Sequence, residues 1–212
     1  MNEPFDIQYT SNLSVVDLIG SDRNRFVSQK IVDAYWSGEL ASVDRHFVTT
    51  LLWSDSALYV CFDATQKESL IVAEEPDLAK KTLGLWDRDV CEIFVAPDAS
   101  LPNKYFEFEV APTGEWVDIA MEIVDGKRCP DIGYSSGIGT YARIEEERVL
   151  MAMRIPWEAF GIRPDAGDVW RGNIFRCVGS GKTRGYLAWR PTMTEKPDFH
   201  VPSSFGEFKF VK

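Results

Sequence analysis

The chain has no apolar run long enough to cross a bilayer and no long amphipathic helix pattern. Its best helical candidate, Ser69 to Lys81, is interrupted by Pro76. Basic charge is scarce: 23 Lys and Arg stand against 33 Asp and Glu, a net charge of −10. An acidic surface repels phosphate backbones and anionic lipids, so nucleic-acid and membrane-surface roles are excluded, and no membrane span is expected. Only two histidines and four cysteines occur, and no pair of cysteines has metal-finger or redox spacing. There is no Gly-x-Ser-x-Gly elbow. Gly179-Ser180-Gly181-Lys182-Thr183 resembles the tail of a phosphate loop but lacks its first glycine, and it reads as a hairpin turn. Neither a Gly/Ser-rich linker nor an internal repeat divides the 212 residues. No basic region followed by an apolar stretch opens the chain, which leaves two settings: cytoplasmic, or exported with the signal outside this sequence. Nothing in the pattern encodes an oligomeric state.

What the chain does have is strand character and rings. The hydrophobic fraction is 45%, with 7 Trp, 7 Tyr and 13 Phe, enough for a full core. Short β-rich segments follow one another between turn residues. His46 to Trp53 and Ala57 to Asp63 flank a tight turn and predict a hairpin. Asp89 to Ala96 pairs in expectation with Tyr105 to Ala111, and Trp116 to Val124 follows Pro112-Thr113-Gly114. Arg148 to Ile155 alternates through Val149, Met151, Met153 and Ile155. Pro156 to Gly161 reads as one helical turn, with Pro at its start and Gly at its stop. Trp170 to Val178, Gly185 to Arg190 and Phe205 to Val211 complete the set. The expectation is an all-β, single-domain antiparallel β-sandwich of jelly-roll or immunoglobulin-like kind. Residues 1–43 would form an extended N-terminal arm packing on the sheets. Ala64 to Leu85 is a long connection, of the sort that carries function or wraps a site. Cys61, Cys91 and Cys177 fall in strands, either as small buried hydrophobes or with one inter-strand disulfide.

Chemistry concentrates around Trp86. In Asp89 to Val95, Val90, Glu92 and Phe94 share one face, and Cys91, Ile93 and Val95 the other. Glu92 thus lies on an apolar strand, where ionisation is costly without partners. If the next strand pairs with this one, Glu107 and Glu109 join Glu92 on one concave face; otherwise they face solvent. Like charges that close need cations or hydrogen-bond donors, such as sugar hydroxyls or arginines. A ring beside a half-buried acid suits a pyranose, whose apolar face stacks and whose hydroxyls donate. Later in the chain Trp189 ends a strand, and Phe199 lies in a loop stiffened by Pro197 and Pro202, ready to present a ring or to cap the core.

Trp86-Asp87-Arg88-Asp89-Val90-Cys91-Glu92-Ile93-Phe94 resembles the Trp-x-x-Asp-x-x-Glu-Ile-Phe signature of family 9 carbohydrate-binding modules. Leu51 to Val60 is similar to that family's upstream hairpin. Trp189 with Pro202-Ser203-Ser204-Phe205-Gly206-Glu207-Phe208 is similar to its C-terminal ending, which makes Trp189 a further candidate ligand-binding residue. The likeness spans roughly Ala34 to Lys212. The resemblance implies a β-sandwich that binds glucose- or xylose-type mono- or oligosaccharides, as in cellulose and xylan, between two aromatic rings. Trp86 matches the first ring, and Phe199 falls where the second, usually Trp, is expected. Glu92 matches the hydrogen-bonding acid. Glu109 stands where characterised binders can carry Arg, and Arg176 near where they carry an amide, so Arg176 becomes a candidate donor. Structural calcium is common in the family; Asp63 is the one candidate ligand, without any EF-hand-type loop.

Two other functions fit the residue types. A glycosidase needs two carboxyls flanking a bond, and Glu92 with Glu107 or Glu109 would supply them. A haem-binding electron-transfer sandwich needs axial ligands, for which His46, His200, Met151 and Met153 are the available residues.

Overall fold

The computed structural model describes residues 3–20 and 28–212. Thirteen strands carry the fold: β1 (Phe5–Tyr9), β2 (Gln29–Val32), β3 (Phe47–Trp53), β4 (Ala57–Thr65), β5 (Val90–Ala96), β6 (Lys104–Val110), β7 (Trp116–Val124), β8 (Lys127–Asp131), β9 (Gly139–Glu145), β10 (Arg148–Pro156), β11 (Val169–Val178), β12 (Gly185–Ala188) and β13 (Gly206–Val211). Among the described residues the helical pieces are single 3-10 turns, so the chain is all-β. The strands hydrogen-bond in the order β8-β7-β6-β5-β11-β13-β1-β3-β4-β10-β9, with β12 added on β11 and β2 on β3.

This continuous ladder folds over on itself as a β-sandwich. Cys91, Ile93 and Val95 of β5, Phe108 and Val110 of β6 and Ile174 of β11 share one core with Leu51, Val60, Phe62, Met151 and Met153 of the opposite half. The period of two then fixes everything else: Val90, Glu92 and Phe94, with Tyr105, Glu107 and Glu109, must face away from that core. There they meet a second apolar cluster that includes Phe175, Cys177, Phe199 and Phe205. Gly172 makes the close packing between β5, β11 and β13 possible, since a Cβ there would collide with the Phe208 ring and the Phe94 carbonyl.

The β3–β4 hairpin, the β5–β6 pair and the 3-10 turn Trp157–Ala159, stopped by Gly161 at φ 67°, follow the sequence pattern. Gly179 to Thr183 joins the antiparallel strands β11 and β12. Three expectations change. First, the sandwich is not wholly antiparallel, because β1 pairs in parallel with both β13 and β3. Second, the described part of the N-terminal arm is built into the ladder instead of packing over it: β1 links the two halves of the sandwich, and β2 extends β3 as an antiparallel neighbour. Residues 1–2 and 21–27 of the arm lie outside the described residues. Third, β8 and β9 escaped notice. Lys127–Asp131 is exposed along its whole length and has no apolar alternation to betray a strand. Its hairpin is made by Asp125 and Gly126, both at positive φ, the conformation that an Asp-Gly pair adopts in a tight turn.

The four cysteines are free thiols; Cys61, Cys91 and Cys177 are buried and Cys129 is exposed.

Candidate functional site

A cavity of about 410 Å³ opens on the outward face of β5 and β6. Trp86 and Asp87 form its rim, Glu92, Phe94, Glu107 and Glu109 its floor, and Pro197 to His200 a wall; Arg128, Tyr186 and Cys177 also line it.

Trp86 is held from behind. Gly84 takes a left-handed conformation (φ 80°), and the buried Leu85 anchors the short turn Leu85–Asp87. The Arg184 guanidinium donates to the carbonyls of Trp86 (2.6 Å) and Arg88 (2.7 Å). It also lies 3.7 Å from the buried Asp89 carboxylate, which accepts from the backbone N–H of Gly179 at 2.8 Å and Ile71 at 3.1 Å. The backbone is thereby fixed while the indole remains 41% exposed. The ring thus leaves apolar surface accessible to a ligand at the cavity mouth.

Phe199 is set differently. Its ring stacks on Phe175, with centroids 4.0 Å apart and planes 12° apart, and Tyr186 meets it edge-on at 6.0 Å. It is 8% exposed, so it both caps the second cluster and lines the cavity. Its loop is closed by Asp198, which accepts from the His200 N–H at 2.9 Å and pairs with Arg128. His200 Nδ1 lies 2.8 Å from the Tyr105 hydroxyl. Burial, helped by Arg128, lowers the His200 pKa to about 4, so its imidazole is neutral at pH 7.

The floor is acidic. Glu92 stands opposite Glu109 across β5 and β6, and Glu107 stands opposite Phe94. All three are buried, and one oxygen from each lies within 4.8 Å of the others. Cys177 Sγ reaches Glu92 Oε1 at 3.4 Å. Both oxygens of Glu109 and Oε2 of Glu107 have no hydrogen-bond donor. Two carboxyl groups side by side can bond to each other only where one keeps its proton. Burial raises the Glu92 pKa to about 8, with Glu107 adding to the rise. Burial, then Glu92 and Glu107, raises Glu109 well above the carboxylate range, and burial raises Glu107.

The expected site residues Trp86, Glu92, Glu109 and Phe199 are brought together, but two others are not. Arg176 points to the opposite side of β11 from Phe175 and Cys177. Its guanidinium donates to the carbonyls of Arg45 (2.7 Å) and Thr65 (2.8 Å) and to Gln66 Oε1 at 2.5 Å. It ties the two layers together and does not line the cavity, because one residue of register reverses a strand's face. Trp189 stacks on Phe208 (5.6 Å, 14°) and meets Phe5 edge-on, again away from the cavity. Asp63, the calcium candidate, has its carboxylate gripped by both arms of Arg148. Among the described residues, the group that could hold a cation is instead the three glutamates, which bring one carboxylate oxygen each within 4.8 Å of one another. Met151 and Met153 lie in the core between the layers, and His200 packs against Phe94 (5.2 Å).

Sequence reasoning missed Tyr186, Arg128 and His200 as lining residues. Tyr186 was legible in principle: it stands opposite Cys177 in the β11–β12 register and so shares its face. Arg128 had no place to be assigned while β8 went unrecognised.

Residues 21–210 match the family model described as Carbohydrate-binding family 9. Similar solved structures include a protein from Bacteroides uniformis assigned to carbohydrate binding, at TM-score 0.72 and 18% identity over 98% of this chain and 99% of that one. A family 9 carbohydrate-binding module from Caldicellulosiruptor kristjanssonii, in complex with glucose, superposes at TM-score 0.68 and 16% identity over 98% of this chain and 95% of that one. Its cellotriose complex gives TM-score 0.68 and 16% identity over 99% and 94%. At these identities the likeness is one of fold. No curated protein matches the chain.

Proposed function

The chain belongs to carbohydrate-binding family 9, a family of binding modules, and from that premise we propose that residues 1–212 act as one non-catalytic module that holds a saccharide between Trp86 and Phe199. The observation that carries this reading is the exposed indole on the rim of the same cavity that Phe199 and Glu92 line. Glucose- and xylose-type sugars are the favoured ligands, as chain ends or short oligomers of cellulose or xylan. The glucose and cellotriose held by the Caldicellulosiruptor module support this choice.

Each ring–sugar contact removes apolar surface from water and contributes about 1–2 kcal/mol. Glu92 adds hydrogen bonds to hydroxyls; a carboxyl that keeps its proton donates one and accepts others. With so few groups engaged, Kd falls in the range of about 1 μM to 1 mM. Calorimetry of the wild type and Trp86→Ala against glucose, xylose, cellobiose and xylobiose is the test. Binding by the wild type that the variant loses or weakens is the expected result. Equal heats from the two proteins would remove the cavity from the reading.

A further inference from the structure

We infer that the preferred ligand of this cavity is a saccharide bearing a protonated amine, whose ammonium group sits on Glu92, Glu107 and Glu109. This deepens the saccharide reading and rests on it.

The floor holds more acceptor capacity than the protein uses. Glu109 is fully buried with both oxygens lacking a donor, and Glu107 lacks one at Oε2. Buried polar atoms are ordinarily satisfied, and an unpaired carboxylate is among the costliest to leave so. A neutral sugar hydroxyl offers one donor hydrogen. An ammonium group offers three, and its charge favours the ionised form, so the glutamates release to solvent, when it binds, the protons that they keep in the free protein. One nitrogen can reach all three glutamates: they place an oxygen each within 4.8 Å of one another, and three hydrogen bonds of ~2.8 Å from one nitrogen span up to ~4.6 Å.

The walls select an organic cation over a metal ion. Phe94, Ile119 and Met121 line the cavity beside the glutamates and offer the apolar surface that the carbon skeleton of an organic cation, unlike a bare metal ion, can cover. The exposed Trp86 indole offers a π face, which attracts a cation as well as the apolar side of a pyranose. Among the described lining residues the one Lys or Arg is Arg128, already paired with Asp198, and His200 is neutral.

Glucosamine, glucose and N-acetylglucosamine share one ring, and only the first carries positive charge. Titrating each into the wild type near pH 7 by calorimetry separates charge from shape. Glucosamine is expected to bind at least about tenfold more tightly than either of the others, a difference of ~1.4 kcal/mol. In E109Q that preference is expected to shrink to within about threefold. Thermal melting establishes that E109Q is folded; should it not fold, E107Q carries the same comparison. If glucose binds the wild type as tightly as glucosamine, the amine inference falls and the saccharide reading stands. If none of these sugars nor their β-1,4-linked oligomers bind, both fall. If calcium or manganese chloride alone binds the wild type, and E109Q abolishes it, the floor is a metal site and the amine inference is overturned.

Discussion

Glu92 on β5 and Glu109 on β6 stand directly opposite each other in the ladder, both buried and on the outward face of the sheet. Two acids in that relationship keep protons that an unfolded chain would release, and stability therefore depends on pH. The unfolded carboxyl titrates near 4.5, while folded Glu92 holds its proton to about 8. Between these values the folded state binds more protons, so this stabilisation is full below the unfolded value and is lost as pH rises toward 8. His200 works the other way and lower: its folded pKa of about 4 lies under the ordinary 6.5, so its contribution is lost as pH falls through that interval. The window from about pH 6.5 to 8 thus excludes His200 and reads the buried carboxyls, Glu92 foremost. Tm is expected to fall across it, and E92Q or E109Q to flatten the slope. A Tm that climbs through this window would contradict the protonated floor.

Glu109→Gln should also stabilise the free protein at pH 8. The amide removes an ionisable group whose oxygens have no donor. Each kcal/mol regained raises Tm by about 2–4 °C in a chain of this size. Differential scanning calorimetry reads the shift directly, and a lower Tm for the variant would mean that the carboxyl has a stabilising partner.

Trp86→Ala is expected to separate binding from folding. The indole is 41% exposed, and its backbone is fixed by Arg184 through carbonyl oxygens that the substitution leaves in place. Saccharide affinity should drop by about 1–2 kcal/mol, some 5- to 30-fold, with Tm nearly unchanged. A large loss of Tm would assign the ring to packing.

Phe199→Ala should fail on both counts. Its ring is stacked on Phe175 and buried, so truncation opens a cavity and costs up to about 3–5 kcal/mol. Phe199→Leu retains bulk without the flat face. It is expected to keep most of the stability while losing affinity for the sugar, as measured by melting and calorimetry on the same sample.

Arg176→Leu is expected to destabilise strongly without touching the cavity. It strips donors from the carbonyls of Arg45 and Thr65 and from Gln66 Oε1, and each buried acceptor left unpaired costs about 1–3 kcal/mol. Wherever the variant remains folded, its sugar affinity should equal that of the wild type; a selective loss of affinity would restore Arg176 as a ligand donor.

Local pattern was enough to determine the strands with apolar alternation, the β3–β4 and β5–β6 hairpins, and the face that Glu92 shares with Phe94. These depend on neighbours in the chain, and a period of two is legible within one strand. Trp86 and Phe199 were legible as rings beside turn residues and prolines. The tertiary structure alone decided the rest. β1 joins β13 in parallel across nearly the whole length of the chain, a pairing that no local pattern encodes. β8 and its Arg128 needed the edge of β7 to become a strand at all. Arg176 looked like a ligand donor because its type suited the task, but the register of β11 turned it toward the core and turned Phe175 and Cys177 toward the cavity. Chemistry is written in residue types; which of those residues meet is set by strand register, and register is fixed by burial summed over the whole sheet.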